Sequence, residues 1–498
     1  MAPTQSGTAM PEDSIFGTFQ PLTGFHQIEE DELGYFVWTR KRFRVCRPAV
    51  VHWVEINLCY GGAEGRLVLK GEGSEHSIEA TLHRGWRKYA LDLSRVSGPD
   101  VEFEVAPLIS VKGDSRELGV MLRSFEPLRD SHQYELVRLK MSNRRLNAKE
   151  FSEGKALLYS YPPHLRFDIE TRCNLRPRCT YCPWDLTKLM EEESPLGGAL
   201  ETISQLDEFL THAEQIVDCG VGEPLLNPDL PQILDELKAR RIGLEMTSNG
   251  VLLTPEIRKA LLGRPLTLYV SIDSATESGY RRYRQASLGK ILNNLRCLCN
   301  EKRNHGGLPR IIVSFIAMSS NLGEFEQFLE RMVTTGVDAI KIRSLRWEPG
   351  LLALSDTASN PKFDYRGEML DARTLTEFLD EAKELARSAV IPLVCEHDFC
   401  RDLETAEEPL CTEPWQTLYV LRRGIMHCCF ATSPVTSWSQ RGDKTLTQFF
   451  RDVWNSPIFQ EIRAALAQHR LHERCAETKS CPIVDKWFAK DGDSETAP

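Results

Sequence analysis

The sequence predicts an α/β protein: a partial (β/α)6 TIM-like barrel, with an all-β sandwich before it and a cysteine-rich segment after it. Three observations carry that prediction. From residue 165 onward, short apolar strands alternate with amphipathic helices, the pattern of a parallel sheet covered by helices. Before about residue 128, apolar residues alternate singly along many short runs, the period of half-buried strands. After about residue 390 both patterns fade, and seven of the chain's 15 cysteines fall between 395 and 481.

Taken in order, residues 1–18 lack a basic stretch followed by an apolar one, so they read as a short disordered lead without a secretory signal. Residues 19–128 are the expected sandwich. In "VVHWVEINLCY", Val54, Ile56 and Leu58 alternate with Glu55, Asn57 and Cys59, and "RLVLKGEGSEHSIEATL", "RKYALDL" and "VEFEVAPLI" follow at short intervals. Trp38, Trp53 and Trp86 are expected as core or rim aromatics. Residues 129–160 are polar, helical in part, and read as a linker.

Residues 161–385 form the barrel, with strands expected at "LRFDIE", "AEQIVDCGVGEP", "GLEMTSNG", "LTLYVSIDS", "RIIVSFIAMSS" and "AIKIRSL", each followed by helical sequence or a loop. Residues 386–490 are loop-rich, and 491–498 are a tail. The clearest piece of that last region is "NSPIFQEIRAALAQH". There Ser456 is expected to cap, Pro457 suits the first helical position, and Ile458, Ile462 and Leu466 form one stripe.

Composition narrows the partners. The chain has 41% hydrophobic and 27% charged residues and a net charge of −10, without long blocks of one sign. A nucleic-acid partner would call for a basic footprint, and none is present. No apolar run approaches the ~18 residues of a spanning helix, so no membrane partner is expected. Many cysteines without an export signal point to metal or redox chemistry in a reducing cytoplasm.

Cys173, Cys179 and Cys182 stand at C-x5-C-x2-C directly after "LRFDIE", at the carboxyl end of the first barrel strand, where sites of this architecture gather. Thiolates are the usual protein ligands of iron–sulfur clusters, and three of them leave one iron of a cubane without a protein ligand. A structural zinc site would normally be closed by a fourth Cys or His, and none stands at a suitable spacing. An open iron corner at a barrel mouth is a place for a chelating molecule.

These residues resemble the radical S-adenosylmethionine (radical SAM) enzymes, whose usual spacing is C-x3-C-x2-C. The gap "NLRPR" is two residues longer here and leaves the ligand count intact. "GVGEPLLNP", starting at Gly220, resembles the family's glycine-and-glutamate motif, and "TSNG" and "SID" follow at later strand ends. Ser271 and Asp273 are two apart, hence on one face of their strand. The resemblance implies a [4Fe-4S] cluster on Cys173, Cys179 and Cys182. It also implies S-adenosylmethionine held near Gly220, Gly222, Glu223, Ser248, Asn249, Ser271 and Asp273. Reductive cleavage would then yield a 5′-deoxyadenosyl radical that abstracts hydrogen from a substrate. A reducing partner such as a flavodoxin or ferredoxin is implied as well.

The tail resembles the SPASM/twitch extension of the same enzymes. Cys411, Gly424 and Cys429 read C-x12-G-x4-C, with Cys428 adjacent, and Cys475 and Cys481 read C-x5-C. The resemblance implies at least one auxiliary [4Fe-4S] cluster, held mainly by Cys411, Cys428 or Cys429, Cys475 and Cys481. The residues alone leave a zinc site or reduced thiols as alternatives. Residues 19–128 resemble a β-sandwich module of bacterial sugar- and polysaccharide-modifying enzymes. The expectation is therefore an oxidoreductase or epimerase acting on a carbohydrate or sugar-derived small molecule. The alternatives are radical modification of a peptide or protein substrate and, in another class, a non-catalytic iron–sulfur or zinc protein that binds glycans.

Overall fold

In the computed structural model the described residues are 15–31, 34–71, 77–96, 98–111, 114–182, 198–218, 222–345, 363–395, 411–421, 425–427, 436–437 and 440–476. The chain divides between Ser142 and Asn143 into two units.

The first unit is antiparallel throughout. Its strands are β1 (Gln20–Asp31), β2 (Gly34–Cys46), β3 (Trp53–Gly71), β4 (Ser77–Asp92), β5 (Asp100–Ala106) and β6 (Met121–Leu128). The expected sandwich of two sheets is not what forms. β2 pairs β5, β5 pairs β3, β3 pairs β6 and β6 pairs β2, so four strands close into a ring, with β1 and β4 attached outside. The cause lies in β3, whose 19 residues pair β4 along one edge and two successive partners along the other. Trp53–Cys59 pairs β6, and Arg66–Gly71 pairs β5. Against β4, on the other edge of β3, the register breaks between Tyr60 and Glu64, the kind of irregularity that turns a barrel corner. Gly65 lets the Tyr60 ring fill that corner, since a Cβ there would lie 2.6 Å from it. A strand that changes partner halfway reads in sequence as two strands of two sheets.

Phe43 and Phe103 stack inside this unit at 4.7 Å, and Phe103 meets Phe125 edge-on. Ile15 and Phe16, placed by the sequence in a disordered lead, are buried in the same core; residues 1–14 lie outside the described residues. Trp38 is buried, and the Arg123 guanidinium covers Trp86 at 3.9 Å.

A 22-residue helix, Ser131–Ser152, spans the division where a linker was expected. Its buried stripe in the second unit is polar. Asn143 exchanges hydrogen bonds with the backbone of Tyr161, donating at 3.0 Å and accepting at 2.8 Å. Asn147 donates to Ser160 Oγ and to the Trp415 carbonyl. Glu150, fully buried, accepts from the backbone N–H groups of Tyr159 and Ser160 and from Ser160 Oγ.

The second unit holds β7 (His164–Phe167), β8 (Gln215–Asp218), β9 (Gly243–Ser248), β10 (Leu266–Ser271), β11 (Arg310–Ala317) and β12 (Ala339–Ser344), the strands foreseen from sequence. Two more lie parallel to them. β13 (Leu393–Cys395) adds beside β12, and β14 (Thr417–Leu421) adds beside β7. β15 (Ile425–His427) and β16 (Thr436–Ser437) continue that edge antiparallel. The sheet therefore runs β13-β12-β11-β10-β9-β8-β7-β14-β15-β16, a partial barrel two parallel strands wider than the predicted six.

The described part of the tail packs into the barrel's core rather than around one of its own. Trp415, Phe450, Trp454, Phe459, Ile462 and Leu466 are buried with Leu165 and Phe167. The helix Pro457–Ala467 starts as expected at Pro457, but the Ser456 hydroxyl makes no capping bond. No helix among the described residues is long and apolar enough to cross a membrane.

Candidate functional site

The carboxyl ends of β7 to β11 converge on the loop that carries the three cysteines. At its start, Ile169 N–H donates to Asp218 Oδ1 at 2.9 Å, and Asn227 Nδ2 donates to the Ile169 carbonyl at 2.8 Å. Glu170 is buried and accepts from the backbone N–H of Thr171 and Arg172 and from the Arg172 guanidinium. Gly222, in the glycine-and-glutamate motif, backs onto this turn. A Cβ there would lie 2.6 Å from the Arg172 carbonyl, an approach only glycine permits. The next residue, Glu223, donates its N–H to that same carbonyl at 2.8 Å.

Glu223 is 1% exposed, and its carboxylate collects donors from two strand ends. Oε1 accepts from Ser248 Oγ at 2.8 Å and Leu225 N–H at 3.2 Å, while Oε2 accepts from Asn249 N–H at 2.8 Å. Burial pushes this carboxyl up to about 7, against the pull of those three donors. Asn249 Nδ2 turns to the cysteine loop, donating to Asn174 Oδ1 at 2.7 Å and standing 4.0 Å from Cys173 Sγ. The predicted residues Gly222, Glu223, Ser248 and Asn249 are thus one connected group beside Cys173. Gly220 lies outside the described residues.

A second group holds the far end of the loop. Asp273 is fully buried. Its Oδ2 accepts from Tyr181 OH at 2.5 Å and from Arg284 Nε at 2.6 Å, and its Oδ1 accepts from Ile316 N–H at 3.0 Å. Asn321 Nδ2 donates to its carbonyl at 2.9 Å. Arg284 closes the helix Glu277–Arg284, which Thr276 caps and Gln285 ends at φ +53°. Its Nη1 reaches Cys179 Sγ at 3.7 Å. Burial works against the Arg284 charge, yet Asp273, with Tyr181, Cys179 and Tyr280 adding to its pull, more than offsets it, and the guanidinium is held firmly protonated. Thr180 N–H donates to the Tyr283 carbonyl, and Tyr365 OH donates to the Tyr181 carbonyl. Ser271, expected beside Asp273, is buried at the end of β10.

Tyr181, Arg284 and Asn174 were not foreseen as site residues. Tyr181 stood between two motif cysteines, and Arg284 lies 11 residues beyond Asp273 inside a basic helix end with no motif of its own.

The three thiols suit an iron–sulfur cubane. Among the described residues, no three His, Cys, Asp or Glu side chains close on a single metal ion. Ligands of a cubane each hold a different iron, so they stand farther apart than ligands of one ion. Cys173, Cys179 and Cys182 are half-buried on one short loop. Burial raises the Cys173 thiol and pushes that of Cys179 up to about 11, with Arg284 pulling the latter down. Metal binding must displace those protons.

Of the tail cysteines, Cys411 and Cys475 are partly buried against the barrel core. Cys428, Cys429 and Cys481 lie outside the described residues.

Comparison with known proteins gives the following. Residues 169–332 match the radical SAM superfamily. A probable GTP 3′,8-cyclase of Methanococcus vannielii is 26% identical over 190 residues, 37% of this chain and 60% of that protein. The mycofactocin maturase MftC of Mycolicibacterium smegmatis is 22% identical over 185 residues, 37% of this chain and 45% of that protein. The chain thus spans no more than about three fifths of these relatives' length. Among solved structures, Streptococcus suis SuiB bound to S-adenosylmethionine superposes with a TM-score of 0.48 at 14% identity, covering 68% of this chain and 75% of that one.

Proposed function

Because residues 169–332 are a radical SAM domain, we propose that this protein is a radical SAM enzyme whose cluster sits on Cys173, Cys179 and Cys182. The observation that carries the reading is the loop itself. Its three thiols lie at the carboxyl edge of the parallel sheet, and both of its ends are pinned by buried carboxylates, Glu170 and Asp273. Radical SAM proteins use a [4Fe-4S] cluster and S-adenosylmethionine, which together supply a 5′-deoxyadenosyl radical for hydrogen abstraction.

The chain's own residues hold and shield that chemistry. Glu223, Ser248 and Asn249 form a polar wall beside Cys173, suited to the charged end of S-adenosylmethionine, with Ser271 on the next strand. Tyr181, Tyr283, Met318, Phe363 and Tyr365 build an apolar wall on the Cys179 side that keeps water out. Asp273 serves the loop in this reading, since it holds Tyr181 of the loop and the Arg284 that reaches Cys179. Cys411 and Cys475 remain the proposed anchors of an auxiliary cluster, completed by Cys428 or Cys429 and Cys481. A low-potential flavodoxin or ferredoxin is the proposed electron donor.

For the substrate, a peptide now leads. The carbohydrate reading leaned on the likeness of residues 19–128 to a sandwich module, and those residues close into a ring instead. One matched relative is by its name a maturase. Oxidation or epimerisation is left as the finer question.

The test is anaerobic reconstitution, reduction with dithionite and chromatography for 5′-deoxyadenosine. The expected result is product from the wild type and none from Cys173→Ala, Cys179→Ala or Cys182→Ala. A cluster-replete wild type that makes no product overturns the reading. Product formation stimulated by candidate peptides rather than by nucleotide sugars would support the substrate class, and the reverse would return the carbohydrate reading.

A further inference from the structure

The Asp273–Arg284 pair lies outside any role in grasping a substrate, because both partners are buried and turned toward the cysteine loop. The side chains are 0% and 8% exposed, and the ion pair spans 2.6 Å. A buried pair of this kind adds little net stability over apolar residues of the same volume. Its geometry, however, does something a neutral pair would not. Arg284 is held by its Nε on Asp273, which leaves Nη1 aimed at Cys179 Sγ at 3.7 Å. Asp273 is in turn fixed by Tyr181 OH and by the Ile316 N–H, so the guanidinium has one orientation.

We infer that Arg284 and Asp273 together set the reduction potential of the cluster, with Cys179 as the point of contact. The inference rests on the cluster proposed above. A reduced cubane carries one more negative charge than the oxidised one. A fixed positive charge donating to a ligand sulfur favours the reduced state and raises the potential, and the carboxylate behind it moderates that effect. In a site screened by Tyr181, Tyr283 and Met318 these charges act with little solvent between them. Arg284 touches the ligand and Asp273 acts through Arg284, so the second is a positioning residue.

The sign of the effect separates this role from a structural one. Arg284→Gln removes the positive charge and is expected to shift the midpoint potential of the S-adenosylmethionine-free cluster to more negative values. Asp273→Asn leaves Arg284 uncompensated and is expected to shift it to more positive values. Arg284→Lys keeps the charge and is expected to fall between the wild type and Arg284→Gln. The readout is a redox titration followed by electron paramagnetic resonance, with iron and sulfide counted in each sample.

Loosening of the loop alone would move Arg284→Gln and Asp273→Asn in the same direction, and that result overturns the inference, as does a potential unmoved in both. Should Arg284→Gln fail to retain a cluster, Arg284→Lys and Asp273→Asn decide by the same signs. A wild type that takes up no [4Fe-4S] cluster overturns the proposed function itself. A wild-type cluster with unmoved variants overturns only this inference.

Discussion

Gly222 stands so close to Glu170 that a Cβ at position 222 would lie 2.3 Å from the Glu170 carbonyl oxygen. The contact joins the end of β8 to the first turn of the cysteine loop, backbone against backbone, so neither side has a flexible tip to give way. Gly222→Ala is therefore expected to displace the loop and to cost about 1–3 kcal/mol. The measurement is iron and sulfide per chain after reconstitution, beside the urea midpoint. We expect a clear loss of bound iron in a protein that still folds; full iron retention would show that the loop tolerates the shift.

Arg463 is fully buried. It donates to the carbonyls of Pro414 at 2.7 Å and Ala156 at 3.0 Å and to Asn455 Oδ1 at 3.3 Å, with the Trp454 ring 4.4 Å away. These bonds tie the helix Pro457–Ala467 to the chain segments that lead into β7 and β14. Arg463→Ala strands several buried acceptors and opens a cavity, and an unfolding loss of roughly 3–5 kcal/mol is expected. A chemical denaturation curve checks it; a loss below about 1 kcal/mol would mean that water replaces the guanidinium.

Asn147→Ala isolates a single part of the polar stripe in Ser131–Ser152. The Trp415 carbonyl, 2.6 Å from Asn147 Nδ2, would lose this donor, and so would Ser160 Oγ. About 1–3 kcal/mol of stability is expected to go, with β14 the first strand to exchange its amides in hydrogen-exchange measurements.

That stripe also explains what the sequence could show. Strands β7 to β12 were legible because buried apolar residues recur along each short strand, mostly in alternation, and a polar motif or helical sequence follows, as after Leu266–Ser271. The cysteine triplet and the glycine-and-glutamate motif were legible because their chemistry requires those residue types at fixed spacing. The helix Ser131–Ser152 was read as a linker because, beyond Leu136 and Val137, its buried positions are the polar residues Lys140, Asn143, Asn147 and Glu150, which leave no hydrophobic stripe along it. The ring in the first unit was missed because the glycine-rich stretch after Tyr60, Gly61 to Gly65, reads as a turn between two strands, whereas β3 runs through it and changes partner there. β13 and β14, with three and five residues, are too short to show alternation. Arg284 was invisible for a different reason: its importance comes from Asp273 and Cys179, which only the fold brings to it.

Two groups at opposite ends of the parallel sheet, the half-buried His164 and the buried Glu223, titrate in opposite senses, and the pair gives a pH test. His164, at the start of β7, is lowered from 6.5 to about 4 by burial and by the charges of Arg144 and Arg166. Its native form binds fewer protons than the unfolded one, so its contribution is whole above 6.5 and is lost as pH falls toward 4. Glu223 is raised from 4.5 to about 7 by burial. Its native form binds more protons, so its contribution is whole below 4.5 and is lost as pH rises toward 7. Each amounts to about 3 kcal/mol at most, and between 4.5 and 6.5 the two slopes oppose each other. In metal-free protein, the stability of the wild type relative to His164→Gln should therefore increase with pH across this window. Relative to Glu223→Gln it should decrease. Denaturation midpoints from pH 4 to 7.5 measure both differences, and parallel curves for either variant would show that the group is not held in the state its burial dictates.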